Sequence, residues 1–255
     1  MLTDTKFTVI FPSTVHELPA IQRPLLFTYR RCPYAMRARM ALLQAGIDFD
    51  AHEITLRDKP SEMLRVSPKG TVPVLVLPDQ SVVDQSLDIM GWAFQGGDPG
   101  GWWGRAQTDL CLELVALNDG PFKQHLDGYK YPERDPLHPQ PQVHRDRAVA
   151  CLLQPLDKLL CKQQFLGGSE PCLADLAIFP FIRQYRAVDA RWFDGQDLQA
   201  TRRWLGVWLE SQLFQRCMRK LTTGSTLTRS PMRAASTPAP TASMRPKNSW
   251  PITRG

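Results

Sequence analysis

The sequence has no apolar run approaching the roughly 20 residues that cross a bilayer, so no membrane-spanning segment is expected. Residues 1–23 lack a basic stretch followed by an apolar one. The short run Phe7-Thr8-Val9-Ile10-Phe11 ends at Pro12, which argues against a secretory signal. None of the six cysteines (Cys32, Cys111, Cys151, Cys161, Cys172 and Cys217) forms a Cys-x-x-Cys pair. Without a signal, reduced thiols in the cytoplasm are expected rather than a disulfide framework, and no metal is expected. A concentrated basic face is missing too. Of the 31 Lys and Arg residues, five (Arg229, Arg233, Arg245, Lys247 and Arg254) follow Thr222, where there are no acids. That leaves 26 basic against 25 acidic residues before it, which argues against a nucleic-acid-binding domain. There is no internal repeat.

The chain is organised around Arg30-Arg31-Cys32-Pro33-Tyr34-Ala35-Met36-Arg37-Ala38-Arg39. The apolar residues 25–29 lead in as a strand, and residues 34–45 lead out as a helix, with Gly46 at its C-cap position. This places Cys32 where the helix begins. Free amide N–H groups and the helix dipole favour an anion there, so the thiol is expected to lose its proton more readily and act as a nucleophile. Pro33 suits the first turn, and Arg30, Arg31 and Arg37 add positive charge. The competing reading is that Cys32 is a small buried hydrophobe, as many free cysteines are.

Residues 49–56 alternate as a second strand and residues 60–66 form a short helix. Lys69-Gly70-Thr71-Val72-Pro73 turns into a third strand, with proline where a ladder donor is not needed. Pro78-Asp79-Gln80 returns as a hairpin, and Asp84-Gln85-Ser86 opens a helix over 85–94. The order is βαβ, then a β-hairpin and a helix, an α/β domain over 24–95 preceded by a loosely attached extension, 1–23. The glycine-rich stretch 96–105 is a linker. After it strand signals stop, and apolar residues recur at helical spacing, giving an all-α domain over 106–221. Residues 129–142 read as a loop. From Thr222 the chain is rich in Ser, Thr, Pro and Arg, and 222–255 is expected to be a disordered basic tail.

Over roughly residues 24–220 this resembles the glutathione transferase family, a thioredoxin-like βαβ-ββα domain followed by an all-helical domain. Cys32-Pro33-Tyr34-Ala35 after a strand is similar to the cysteine-type site of omega-like transferases and glutaredoxins. Gly70-Thr71-Val72-Pro73-Val74-Leu75 resembles the family's cis-proline loop. Leu166-Gly167-Gly168, with Leu173-Ala174-Asp175-Leu176-Ala177, resembles the helical domain's folding motif. Two positions depart from the pattern. Gln85 stands where Glu is common and cannot pair as an anion with the ligand's amino group; Asp84 could compensate. Cys172 stands where a Ser or Thr helix cap is usual.

The resemblance implies glutathione as co-substrate and no metal. Its extended backbone would pair at Val72 beside a cis Pro73. Ser86 would bind the γ-glutamyl carboxylate at a helix N-terminus, with Gln85 beside it, and Lys59 would reach the glycyl carboxylate. A cysteine at the site implies a thiol transferase that reduces glutathione mixed disulfides through Cys32, where a serine or tyrosine would instead activate the bound thiol. The alternatives are a transferase conjugating glutathione to electrophiles and a non-catalytic binding module. The partners expected are glutathione and a small electrophilic or disulfide substrate, with no nucleic acid and no membrane, and the homodimer the family usually forms. The second substrate would lie between the domains. Asn118, Tyr129, Tyr185 and Trp192 are candidates to line its site, against the plainer reading of aromatics in a helical core.

Overall fold

The computed structural model describes residues 21–134, 140–221 and 225–227. The chain divides into two compact units, the first running to Gly97 and taking in the chain from Arg216, the second running from Asp98 to Gln215.

The first unit is built on a sheet in the order β4-β3-β1-β2-β5. Its centre is β1 (Leu25–Thr28), a four-residue run buried on both faces, which is why it shows no alternation. β1 pairs parallel with β2 (Phe49–Glu53) and antiparallel with β3 (Val74–Val76), which pairs antiparallel with β4 (Val82–Val83). Between β1 and β2 runs α1 (Pro33–Ala45). Gly46 closes it in the left-handed conformation at φ 75°, as a C′ glycine does. α2 (Ser61–Val66) precedes β3, and α3 (Ser86–Phe94) follows β4. Beneath one face, Leu25, Phe27, Ile54, Met63, Val74 and Val76 form a common apolar cluster.

Arg39 lies within this unit and is fully buried. Its guanidinium donates to the carbonyls of Arg30 (2.7 Å) and Cys217 (3.1 Å), and to Thr28 Oγ1. It thus joins the end of β1 to the returning C-terminal chain. Beyond that return, β5 (Ser225–Leu227) pairs antiparallel with β2 through Ala51↔Ser225 and Phe49↔Leu227. The expectation of a tail without regular structure from Thr222 does not hold for these three residues. They cover an otherwise open sheet edge. The rest of that tail, and the extension up to residue 20, lie outside the described residues.

The second unit is helical: α4 (Trp102–Arg105), α5 (Asp109–Leu117), α6 (Lys123–Lys130), α7 (Pro141–Ala148), α8 (Gln154–Leu160), α9 (Leu173–Arg186), α10 (Ala190–Asp194) and α11 (Gln199–Glu210). α12 (Gln212–Cys217) leads back toward the first unit's residues. α5 does not break after Leu117. A π-helical turn, Asn118–Phe122, carries it into α6. Pro121 has no N–H to give to the ladder, and the wider turn absorbs it. Similarly, the π turn Val149–Leu153 leads into α8, which has Pro155 in its first turn. α9 forms the unit's spine, with residues 173–182 buried.

The α9 start is fixed by Asp175. Its carboxylate accepts from the N–H groups of Leu166 (3.0 Å) and Cys172 (2.9 Å) and from the Trp204 indole (2.7 Å). One buried side chain therefore holds the 166–172 loop, the helix start and α11 together.

Candidate functional site

Strand pairing alone gathers four loops at one end of the sheet. β1 runs antiparallel to β3 with Phe27 opposite Val74, so the loop after β1 adjoins the loop before β3. β4 pairs with β3 through Leu75↔Val83, which returns the chain to that end before α3. β2 is parallel to β1, with Thr28 opposite Glu53, so the segment carrying Lys59 leaves from that end as well. Cys32, Lys59, Val72-Pro73 and Gln85-Ser86 therefore belong to neighbouring loops.

Cys32 is the N-cap of α1, with extended dihedrals, and Pro33 is in the first helical turn. Its N–H donates to the Tyr29 carbonyl at 3.0 Å, and its own carbonyl accepts from Met36 N–H at 2.9 Å. The half-buried thiol lies 3.8 Å from the carbonyl oxygen of Val72. The Val72–Pro73 peptide is cis. The half-buried Val72 precedes the buried Pro73 and the strand β3.

At α3, Gln85 is the exposed N-cap, its side chain making no cap hydrogen bond. Ser86 is the first helical residue and is buried. Its Oγ accepts from Arg37, 3.4 Å away, whose guanidinium is itself fully buried and lies 5.5 Å from the centre of the Tyr34 ring. Asp84 is held by Ser67 Oγ (2.8 Å) and Lys69 (3.1 Å). Its carboxylate is thus engaged within the protein, which limits the compensation expected of it. Lys59 is exposed, and its ammonium lies against Gly70, which at φ 62° forms the turn before Thr71 and Val72. A Cβ at Gly70 would meet Lys59 Nζ at 3.3 Å.

Several of these partners were not apparent in the sequence. In sequence Arg37 stands only as charge near Cys32, yet it reaches Ser86; an arginine amid the apolar residues of α1 is the available signal. Arg31 donates to the Tyr29 hydroxyl at 2.7 Å. Glu53 accepts the Arg30 N–H at 2.7 Å and fixes the turn before Cys32. In the helical unit, Asn118 and Tyr185 are buried. Tyr185 packs among Phe122, Tyr129, Trp192 and Phe193, and its hydroxyl donates to the Arg145 carbonyl at 2.8 Å. That is a core position, as the plainer reading has it.

Residues 31–93 match the glutathione S-transferase N-terminal domain. Glutathione S-transferase omega-1 of Mus musculus is 22% identical over 174 residues, covering 65% of this chain and 68% of that protein. Glutathione S-transferase Z2 of Arabidopsis thaliana is 27% identical over 166 residues, covering 62% of this chain and 74% of that one. In fold, the chain is similar to a glutathione transferase family member from Pseudomonas fluorescens solved with two glutathione bound. That likeness has a TM-score of 0.66 at 18% identity, over 77% of this chain and 92% of that one. A Pseudomonas putida glutathione transferase with one glutathione disulfide bound per subunit gives 0.63 at 19% identity, over 78% and 91%. The matched domain contains the cysteine at the start of α1, the cis-proline loop and the start of α3, and a helical unit follows it: the chain carries a glutathione S-transferase N-terminal domain over residues 31–93 and has the fold of the glutathione transferases.

Proposed function

We propose that this protein is a glutathione-dependent thiol transferase that reduces glutathione mixed disulfides through Cys32. The observation that carries the reading is the position of the Cys32 thiol, at the N-cap of α1 and 3.8 Å from the Val72 carbonyl. An extended peptide pairing its backbone with Val72 would bring its own sulfur to that thiol. The similar folds holding glutathione or its disulfide support this choice of ligand.

In this reading the γ-glutamyl carboxylate is taken by Ser86 and the N-terminal amides of α3. Arg37 already donates to Ser86 Oγ, leaving the hydroxyl proton to point at the ligand. With Asp84 engaged by Ser67 and Lys69, the amide oxygen of Gln85 receives the ligand's amino group. Lys59, beside Gly70, meets the glycyl carboxylate.

The Cys32 thiolate attacks the glutathionyl sulfur of a mixed disulfide. A bond forms between Cys32 and glutathione, and the substrate leaves as its thiolate. A second glutathione thiolate attacks the bound glutathionyl sulfur, giving glutathione disulfide and restoring the Cys32 thiolate. No second active-site cysteine is needed.

Mass spectrometry after incubation with glutathione disulfide tests the first step. The expected product is one glutathionyl group on the Cys32 peptide, released by reductant. Cys32→Ser should abolish reduction of hydroxyethyl disulfide while retention on immobilised glutathione persists. If the wild type instead conjugates glutathione to an aryl halide and Cys32→Ser still reduces disulfides, Cys32 is not the nucleophile.

A further inference from the structure

Two cysteines that the glutathione chemistry does not use meet inside the helical unit. Cys111 is in the first turn of α5 and Cys172 is the N-cap of α9, 61 residues apart in sequence. Both are buried and both are free thiols. Their sulfurs lie 4.0 Å apart, within hydrogen-bonding distance of each other. The Cys111 sulfur also lies 3.6 Å from the carbonyl oxygen of Leu166, in the loop that leads to Cys172.

We propose that Cys111 and Cys172 form a second, oxidisable site in this protein, a dithiol that hydroperoxides convert to a disulfide joining α5 to α9.

A disulfide requires the sulfurs to close to about 2.05 Å, an approach of roughly 2 Å. Rotation of the side chains about χ1 supplies motion of this kind. The polarity of the pair favours the first step. The hydrogen bond from Cys172 brings the Cys111 thiol down to about 7, against the opposing effect of burial. The Cys172 thiol is pushed up, first by the same hydrogen bond and then by burial. Of the two thiols Cys111 is thus the one more readily deprotonated, and it acts as the nucleophile. The Cys111 thiolate attacks one peroxide oxygen and the O–O bond breaks. This gives a sulfenic acid, and the departing oxygen leaves as water or an alcohol. The Cys172 sulfur then attacks the sulfenic sulfur, forming the S–S bond and releasing water. Two thiols lose two electrons and the peroxide gains them. Burial selects for a small oxidant. The 166–172 loop packs against both residues: the Leu166 carbonyl lies against Cys111, and an added Cβ at Gly167 would lie 2.9 Å from Cys172 Cβ.

The substitution of Cys172 for the Ser or Thr usual at this helix cap thus has a chemical consequence. Asp175 takes the Cys172 N–H at 2.9 Å, so part of the helix cap does not depend on the sulfur.

The test uses the full chain, reduced, desalted and treated with hydrogen peroxide. It is then blocked with N-ethylmaleimide in denaturant and mapped without reduction. The expected result is a linked pair of peptides carrying Cys111 and Cys172, with Tm raised by about 5 °C or more and restored by dithiothreitol. Cys172→Ser puts a hydroxyl at the cap in place of the thiol and should lose both the link and the rise; Cys111→Ala should do the same. The proposal is overturned if Cys111 and Cys172 both take up maleimide after peroxide treatment while the exposed Cys161 is oxidised. A rise in Tm that persists in Cys172→Ser also overturns it. The peptide map decides on wild-type protein alone, whether or not the variants fold.

Discussion

Replacing Asp175 with alanine should be among the most destabilising changes in the helical unit. The carboxylate is fully buried and accepts from three buried donors, Leu166 N–H, Cys172 N–H and Trp204 Nε1–H. Each donor left without a partner costs about 1–3 kcal/mol. The loss is smaller than their sum. Burial pushes the Asp175 carboxyl up from its ordinary value, against the pull of those donors, so removing the charge also relieves a desolvation cost. A net loss of about 3–5 kcal/mol is expected, a large share of the roughly 5–15 kcal/mol that holds a typical protein folded. Asp175→Asn separates the contributions. It keeps the oxygen that serves Leu166 and Trp204 but turns an NH₂ toward the Cys172 N–H, so it should lose about 2 kcal/mol. Urea unfolding followed by tryptophan fluorescence measures both variants. A loss below about 1 kcal/mol for alanine, or equal losses for the two variants, would refute the account.

Arg39→Met keeps the aliphatic packing but strands the Arg30 and Cys217 carbonyls and Thr28 Oγ1; a loss of about 2–4 kcal/mol in urea unfolding is expected. Ending the chain at Leu221 removes β5 from the edge of β2, and should lower Tm and raise the tendency to self-associate in light scattering. Burial holds the His52 imidazole below its ordinary value of 6.5, with Glu62 opposing. The unfolded chain then binds the proton more tightly, so stability is lost as pH falls through 6.5 toward the folded value. Tm measured between pH 7.5 and 5.5 should fall, and less so in His52→Gln. His125 is lowered by burial and then by His144, and acts in the same direction.

How much of this was legible in the sequence depended on the length of the signal. β1 and α1 were readable because an unbroken apolar run, a proline in the first helical turn and a C-terminal glycine agree with one another. Once these were set, the strand order brought Cys32, Val72-Pro73 and Gln85-Ser86 to one end of the sheet, so the site followed from topology rather than from any contact visible in sequence. What failed to show was of two kinds. β5 is three residues long, and Ser-Thr-Leu has no alternation to detect; its pairing depends on β2 having an open edge. The buried Arg37 and Arg39 look, in sequence, like charges on a helix surface. Only in the fold do Ser86 Oγ and the Arg30 and Cys217 carbonyls appear beside them. The continuation of α5 through Pro121 was hidden for a similar reason, since the sequence reads as a stop and the π turn makes it a passage.

The two sulfur centres differ in the oxidant each admits. Cys32 is half-buried at the start of a helix, beside a backbone segment suited to an extended peptide, so exchange with a bulky disulfide suits it. Cys111 and Cys172 are fully buried beside the 166–172 loop, which excludes a tripeptide disulfide and restricts the proposed reaction to a small oxidant. Glutathione disulfide should therefore modify Cys32 and leave the buried pair reduced. Peroxide should close the pair even when Cys32 is serine. The two reactions are thus separable by reagent and by variant, so failure of one leaves the other standing.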